Sequence, residues 1–229
     1  MKHQNDTNRR PLSIRNFRIT KRIAKWLSKK NISPNQISLM SIVFAALGYL
    51  VAVIYHFYPS PFWLLFLLIA IQMRLICNLF DGMVAIEGGK LTPVGELFND
   101  VPDRIADPIF ILAAGLIAVC PFAMTLAWVA ALLSILTAYV RVLGVSMGCP
   151  ANFEGPMAKQ HRMALLTITS LILLVSQSFS LWTEYFIYTM DVALATIIAG
   201  TLLTNWRRLK TIYRVKSQQS DSLTEGYHG

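Results

Sequence analysis

Six long apolar stretches restrict the fold of this 229-residue chain more than any other feature. Each stretch approaches the roughly 20 residues that an α-helix needs to cross about 30 Å of hydrocarbon. The composition agrees, because 55% of the residues are hydrophobic and only 14% are charged, which is unusual for a soluble domain. The sequence therefore predicts an all-α integral membrane protein with six transmembrane helices. These lie at about residues 37–55, 61–80, 105–119, 123–145, 163–181 and 185–204.

The basic residues are concentrated at the two ends of the chain. Ten of the 21 Lys and Arg residues lie in residues 1–30 and five more in Arg207–Lys216, whereas three of the loops between apolar stretches contain none. Loops rich in Lys and Arg remain on the cytoplasmic side of a membrane. The pattern predicts a multi-pass protein of the cell (inner) membrane, with both termini and residues 78–107 in the cytoplasm.

Residues 14–32 have the pattern of an interfacial helix. Helical spacing puts apolar side chains such as Ile23 and Trp26 on one face, opposite basic side chains such as Arg22 and Lys25. This arrangement favours an amphipathic helix that lies on anionic lipid headgroups. A soluble basic arm is the alternative, and neither interpretation requires a nucleic acid as partner.

The segment after this helix contains Pro34, which interrupts the helical pattern. Asn35 or Ser38 is expected to cap the first membrane helix, since short polar side chains accept hydrogen bonds from free N–H groups at helix starts.

Acidic residues are concentrated in residues 78–107, which hold six of the 12 in the chain. Two glycines and Pro93 predict a turn there between the ends of the second and third membrane helices. At about 100° per residue, the polar side chains at the start of the third helix share a sector of about 100°. These are Glu96, Asn99, Asp100, Asp103 and Asp107. The facing side of the second helix carries Arg74, Asn78, Asp81, Gly82 and Ala85.

Carboxylates so close together repel each other and require compensating positive charge. Arg74 and Arg104 could supply it through an ion-pair network that joins the helix ends. The other interpretation, which the spacing favours, is a divalent cation: an oxygen-only ligand set without His or Cys suits Mg²⁺ or Mn²⁺. Gly82 and Ala85 would then let a bulky substrate approach the backbone.

The same residues resemble the signature of the CDP-alcohol phosphatidyltransferases. In that family two acidic residues three apart, the second followed by Gly, precede a small residue and an Arg; a Gly and two Asp four apart follow. The spacing is matched at Asn78, Asp81, Gly82, Ala85, Ile86, Gly95, Asn99 and Asp103. The identities differ at three positions, because Asn78 and Asn99 replace Asp and Ile86 replaces Arg. The segments "SPNQIS", "RVLG" and "GPMAKQHRMA" also resemble the family.

The resemblance implies metal-dependent transfer of a phosphatidyl, or other substituted phosphate, group from a CDP-linked donor to an acceptor hydroxyl, with release of CMP. It implies CDP-diacylglycerol or another CDP-alcohol as donor, Mg²⁺ or Mn²⁺ as cofactor, a role in phospholipid biosynthesis, and a homodimer in the lipid bilayer. Asp103 is the predicted catalytic base. The predicted metal ligands are Asp81, Asp103, Asn78 and Asn99, with Asp100 and Asp107 as substitutes for the missing carboxylates. The predicted nucleotide-binding residues are Gly82, Ala85, Gly95 and Asn35, and the predicted acceptor or lipid phosphate ligands are Arg141, Lys159 and Arg162.

These predictions divide the chain into four segments. Residues 1–13 are a disordered polar N-terminus and residues 14–32 the interfacial helix. Residues 33–205 form the six-helix transmembrane catalytic domain, and residues 206–229 a basic and then disordered cytoplasmic tail.

Two alternatives to an active transferase follow from the same residues. Asn78, Ile86 and Asn99 permit a catalytically silent relative that binds nucleotide or lipid, and the carboxylates permit a small ion-coupled transporter. The spacing through Gly82 and Ala85 disfavours the transporter, because an ion pathway does not require small residues there. The sequence leaves open the acceptor alcohol, the choice between one and two metal ions, and whether the asparagines abolish activity.

Overall fold

A computed structural model of the chain describes residues 18–30, 32–87, 89 and 95–225. It describes the backbone alone at Glu87, Glu96, Asn99 and residues 220–225. These described residues form helices and no strands, so the all-α prediction is confirmed. The helices are α1 (Arg18–Lys29), α2 (Pro34–Phe57), α3 (Pro61–Glu87), α4 (Gly95–Ile117), α5 (Ala123–Ser146), α6 (Lys159–Phe179), α7 (Thr183–Phe186) and α8 (Thr189–Glu225). The predicted disordered residues 1–13 and the first residues of the predicted interfacial helix lie outside the described part.

Five helices in the described part are long and apolar enough to cross a membrane, namely α2, α3, α5, α6 and α8. Helix α4 occupies the position of the predicted third membrane helix but carries five charged side chains in 23 residues. These are Glu96, Asp100, Asp103, Arg104 and Asp107. Composition and length thus identify five spans here, and α4 differs from them because it contains most of the acidic segment.

Helix α2 begins with a capping box at Ser33. The Ser33 Oγ accepts a hydrogen bond from the Gln36 N–H at 3.2 Å, and the Gln36 Oε1 accepts one from the Ser33 N–H at 2.9 Å. The prediction that Asn35 or Ser38 caps this helix was wrong. Pro34 suits the first helical position because its fixed φ is helical and it has no N–H to satisfy, so the cap lies one residue earlier.

Helices α2, α3 and α4 pack closely through small side chains. Ala45, Ala52 and Ala113 are buried in their shared core. At Gly48 an added Cβ would lie 2.5 Å from the Phe110 ring, so this contact between α2 and α4 requires glycine. Small residues let membrane helices approach closely enough for extensive van der Waals contact, and here they bring α4 against the pair α2–α3.

The break between α3 and α4 falls where the sequence predicts it, since α3 ends at Glu87 and α4 begins at Gly95. Apart from Gly89, the residues of the predicted turn lie outside the described part. Helix α8 is longer than predicted and continues past Lys216 to Glu225. Residues 217–225 contain no Gly or Pro, so no residue there opposes helix continuation. At about 1.5 Å per residue, α8 extends roughly 55 Å, well beyond a hydrocarbon core of about 30 Å.

Candidate active site

The acidic face of α4 contacts α3 through Arg74. This side chain is fully buried, and Asp103 and Asp107 are 5% and 2% exposed. The Arg74 Nη2 donates to Asp103 Oδ1 at 3.0 Å and also to Asp107 Oδ1. One guanidinium therefore bridges two carboxylates that lie one turn apart on α4.

The first turn of α6 supplies two more cations to the same carboxylates. Lys159 Nζ donates to Asp103 Oδ2, and Arg162 Nη2 donates to Asp107 Oδ2 at 3.2 Å. We call these five residues, Arg74, Asp103, Asp107, Lys159 and Arg162, the charge cluster. Its three cations and two carboxylates leave one net positive charge.

The charge cluster has more hydrogen-bond donors than acceptors. Within the described part of the chain, no acceptor lies within hydrogen-bonding distance of Arg74 Nε, Arg74 Nη1 or Arg162 Nε, all of which are buried. Unsatisfied buried donors are costly. Their excess, together with the net positive charge, makes the cluster suitable for a negatively charged ligand.

A narrow cleft borders the charge cluster on the side of α5. Its lining includes Asp103, Arg104, Asp107, Pro108, Ser134, Ile135 and Arg162, and its interior is too small for a water molecule. A substrate could therefore reach Asp103 from this side only if neighbouring side chains moved.

Asp100 lies in a second ion-pair network, separate from the charge cluster. Its carboxylate accepts from Arg104 Nη2 at 3.0 Å and from Arg141 Nη2 at 3.1 Å, and the side chain is 40% exposed. The Arg141 guanidinium also lies 5.5 Å from the centroid of the Phe153 ring. These contacts join α4 to α5 and to the α5–α6 loop.

Asp81 differs from the other carboxylates on these two helices. It is 3% exposed, and its oxygens accept from Ser38 Oγ at 2.8 Å and from the Gly82 N–H at 2.5 Å. Among the described residues no Lys, Arg or His forms an ion pair with it. A buried carboxylate without a cation is expensive, so the oxygens of Asp81 are suitable ligands for a divalent metal ion. Asn78, half-buried on the same helix, offers a further oxygen one turn away.

The predicted site residues thus fall into distinct groups. Asp103, Asp107, Lys159 and Arg162 lie together in the charge cluster, and Asp100 and Arg141 pair with each other. Half-buried residues at the adjoining ends of α2, α3 and α4 include Asn35, Gly82, Ala85 and Gly95. The Asn99 side chain lies outside the described part. In that part no three His, Cys, Asp or Glu side chains are grouped as a metal site, so the complete ligand set remains a prediction.

Ser38 is a site residue that sequence reasoning assigned to a different role. It was considered as a helix cap, yet its hydroxyl contacts a carboxylate 43 residues further along the chain. Helical periodicity orients side chains on one helix and carries no information about a contact between helices. Only its position one turn after Pro34, on the helix start that resembles the family, could have indicated it.

The fold and this site define a polytopic helical membrane protein with ionisable side chains gathered at adjoining helix ends. Comparison with known proteins identifies the class. The chain belongs to the CDP-alcohol phosphatidyltransferase family, whose model matches residues 31–204. It is accordingly a transferase of phospholipid biosynthesis.

Two curated relatives are similar over most of the chain. The archaetidylinositol phosphate synthase of Aeropyrum pernix is 29% identical over 189 residues, which cover 81% of this chain and 84% of the relative. The inner membrane protein YnbA of Escherichia coli is 25% identical over 165 residues, which cover 69% of this chain and 76% of the relative.

Solved structures share the fold. The phosphatidylinositol phosphate synthase of Mycobacterium tuberculosis with CDP-DAG bound has a TM-score of 0.62 and 18% identity, over 86% of this chain and 94% of the other. A structure of the same synthase with manganese and citrate has a TM-score of 0.61 and 17% identity, over 85% of this chain and 88% of the other. At these identities the likeness concerns the fold alone.

Proposed function

We propose that this protein transfers a phosphatidyl, or another substituted phosphate, group from a CDP-linked donor to an acceptor hydroxyl, releases CMP, and requires a divalent metal ion. The charge cluster carries this proposal, because it brings a candidate base, Asp103, into contact with two cations in a buried site. CDP-diacylglycerol is the first donor to test, since a structure with the same fold has CDP-DAG bound. Another CDP-alcohol is the second.

The metal ion would be held by Asp81 with the oxygens of Asn78 and Asn99 and a carboxylate of α4: Asp103, Asp100 or Asp107. When bound, Mg²⁺ or Mn²⁺ offsets the negative charge of the diphosphate and stabilises CMP as the leaving group. The structure of a related fold with manganese supports this choice. Asn35, Gly82, Ala85 and Gly95 would contact the nucleotide.

Asp103 would act as the base that accepts the proton of the acceptor hydroxyl. In the structure its two oxygens accept one hydrogen bond each, from Arg74 and from Lys159, and each keeps a further lone pair that could take that proton. An acceptor that carries a phosphate would compete with Asp103 for Lys159. Transfer of Lys159 to that phosphate would release Asp103 Oδ2 from its ion pair and leave both of its lone pairs open to the hydroxyl.

The acceptor is therefore proposed to be a phosphorylated alcohol. Lys159 and Arg162 would bind its phosphate, with the excess donors of the charge cluster around it. Arg141, at the end of α5, would bind the same phosphate or that of a lipid. The relative from Aeropyrum pernix is itself named as a synthase of an inositol phosphate lipid, which supports an acceptor of this kind.

In the membrane, α4 is proposed to cross together with the five apolar helices, making six spans with both termini in the cytoplasm. Its apolar half packs in the core with α2 and α3, which supports this arrangement. Helix α1 would lie in the interface, because Ala24 is buried against α3 whereas Ile19 and Trp26 are exposed. Residues 33–205 would form the catalytic domain, acting as a homodimer in the inner membrane.

The test is CMP release by the purified protein in lipid. CDP-diacylglycerol, Mg²⁺ or Mn²⁺ and pooled alcohol acceptors are added to the wild type, to Asp103→Asn and to Glu184→Gln, a matched control for loss of one charge on the exposed α7. We expect metal-dependent release by the wild type and the control, abolished by EDTA. Loss of a general base lowers rates by about 10²- to 10⁴-fold, so Asp103→Asn should fall by at least about 100-fold.

The same assay separates the alternatives. Absence of CMP release by the wild type with every acceptor, although it binds CDP-diacylglycerol, would contradict the proposal and favour a catalytically silent relative. Asn78, Asn99 and Ile86 would then be the first residues to restore. Release that is unaffected by Asp103→Asn would reject Asp103 as the base.

A further inference from the structure

The loop between α5 and α6 is attached to α8 through its main chain. The Thr204 Oγ1 accepts a hydrogen bond from the Met157 N–H at 3.1 Å, and Arg208 Nε donates to the Glu154 carbonyl at 3.0 Å. Both α8 side chains are buried. Backbone groups in a buried loop need such partners, and α8 provides them.

The surfaces of the loop and α8 are also matched in shape. Gly155 has φ +126°, a conformation that favours glycine, and an added Cβ would collide with the Thr204 side chain. On the other side of the contact, an added Cβ on Gly200 would lie 2.8 Å from the Met157 Cβ. The loop can therefore lie this close to α8 only with glycine at both positions.

Thr204 is oriented for its contact with the loop. Its hydroxyl donates to the Gly200 carbonyl of its own helix at 2.7 Å. The proton thus points along α8, and a lone pair remains for the Met157 N–H. A methyl group in place of the hydroxyl would remove the acceptor and leave the size of the side chain almost unchanged.

This loop contact lies immediately before the part of α6 that enters the charge cluster. Lys159 is the first residue of α6, and no side chain caps the helix start at Ala158. Arg162 Nη1 donates back to the Met157 carbonyl at 3.0 Å while its Nη2 contacts Asp107. The loop residue Met157 therefore lies two residues before Lys159 and in contact with Arg162, the two cations that α6 supplies to the carboxylates of α4.

We propose that Thr204 is a positioning residue: by holding Met157 against α8, it sets the location of Lys159 and Arg162 in the site. Thr204 lies on a helix that contributes no side chain to the charge cluster, and it acts through the loop. The inference rests on the proposed function in one respect, namely that Lys159 and Arg162 bind the acceptor phosphate.

The test compares Thr204→Val, which loses the hydroxyl, with Thr204→Ser, which keeps it. Hydrogen exchange followed by mass spectrometry reports on residues 153–163 in the full-length protein in lipid. The amide hydrogens of residues 153–163 should exchange faster in Thr204→Val than in the wild type. In Thr204→Ser they should exchange at the wild-type rate. The KM for a phosphorylated acceptor, glycerol 3-phosphate or inositol phosphate, should rise up to about 10-fold in Thr204→Val, the largest change expected from loss of one neutral hydrogen bond. The KM for the CDP-linked donor should not change.

The outcomes distinguish the inference from the function on which it rests. Unchanged exchange in Thr204→Val overturns the inference, and so does faster exchange with an unchanged acceptor KM, which indicates a merely structural contact. An equal rise in both KM values overturns it as well. If the wild type releases no CMP, the proposed function fails. Faster exchange in Thr204→Val together with wild-type exchange in Thr204→Ser would still support Thr204 as the residue that holds the loop.

Discussion

In the described part of the chain, a hydroxyl group and not a cation stabilises the buried carboxylate of Asp81. Ser38 is itself 3% exposed, so the hydrogen bond between Ser38 Oγ and Asp81 Oδ2 is shielded from water. A hydrogen bond to a charged group contributes about 1.5–3 kcal/mol. It also fixes the direction in which the remaining lone pairs of Asp81 point, and that direction matters for a metal ligand.

We expect Ser38→Ala to weaken metal binding by roughly 10- to 100-fold, the range that corresponds to about 1.5–3 kcal/mol. Titration with Mn²⁺, followed both by direct binding and by CMP release, measures the change. Ser38→Thr keeps the hydroxyl and serves as the matched control. Wild-type affinity for Mn²⁺ in Ser38→Ala would show that Asp81 is positioned without Ser38.

The residues that lie in the site were largely predictable from the sequence, but the ion pairs between them were not. Spacing along α3 and α4 identified Asp81, Asp103 and Asp107, because one helix repeats every 3.6 residues. The bridge from Arg74 to two carboxylates, and the contacts of Lys159 with Asp103, depend on how three helices pack. No single-helix periodicity contains that information.

At the scale of helices, α4 is interrupted by prolines on both sides of its two buried carboxylates. Pro102 directly precedes Asp103 and Pro108 directly follows Asp107, and both lie inside the helix. Each proline removes one N–H from the hydrogen-bond ladder and crowds the carbonyl four residues earlier. The carboxylates of the charge cluster therefore lie on a part of α4 that lacks two backbone hydrogen bonds, and their contacts with Arg74 and Arg162 help to hold that part in place.

At the other end of α4, Asp191 joins α8 to backbone groups of the loop between α4 and α5. Its Oδ2 accepts from the Val119 N–H at 3.1 Å and its Oδ1 from the Cys120 N–H at 3.0 Å. Asp191 lies in the first turn of α8, where a negative charge also interacts favourably with the helix dipole. No local sequence pattern indicates this contact, because its two partners are 72 and 71 residues away.

Asp191→Ala should lower the free energy of unfolding by about 1–3 kcal/mol, since two backbone donors lose their acceptor. Thermal unfolding in detergent measures this loss, with Glu184→Ala on the exposed α7 as the control. CMP release per folded molecule should stay at the wild-type level, because Asp191 contacts Val119 and Cys120 beyond the opposite end of α4 from the charge cluster. An unchanged midpoint of thermal unfolding would mean that other groups accept hydrogen bonds from the Val119 and Cys120 N–H groups.

The helix boundaries show where local sequence signals suffice. The break between α3 and α4 agrees with the cluster of Gly88, Gly89 and Pro93, since such clusters favour turns, whereas the isolated Pro102 and Pro108 lie inside α4. The start of α2 was misassigned because several polar residues there could cap a helix, and only the tertiary structure selects Ser33. The length of α8 was underestimated because polar composition was taken to indicate disorder, although such residues can continue a helix that is already formed.

For the whole molecule, the distribution of basic residues predicts that α8 ends in the cytoplasm and that α7 lies on the opposite side. Cysteine labelling with a membrane-impermeant maleimide tests this, in a background with Cys120→Ser because Cys77 and Cys149 are already buried. Thr183→Cys should be labelled in intact cells or spheroplasts. Gln218→Cys should be labelled only after permeabilisation, and the reverse pattern would overturn the predicted orientation.

The polarity of α4 has a consequence for how the chain is assembled during synthesis. A charged side chain costs roughly 2.5–3.5 kcal/mol at the centre of a membrane helix, so a helix that carries both Asp103 and Asp107 partitions poorly into lipid by itself. Its first partner, Arg74, belongs to the helix made just before it, whereas Lys159 and Arg162 emerge from the ribosome two helices later. We therefore expect α3 and α4 to leave the translocon as a hairpin, and a nascent chain stopped after α5 to retain an incompletely neutralised α4 that membrane quality control can recognise.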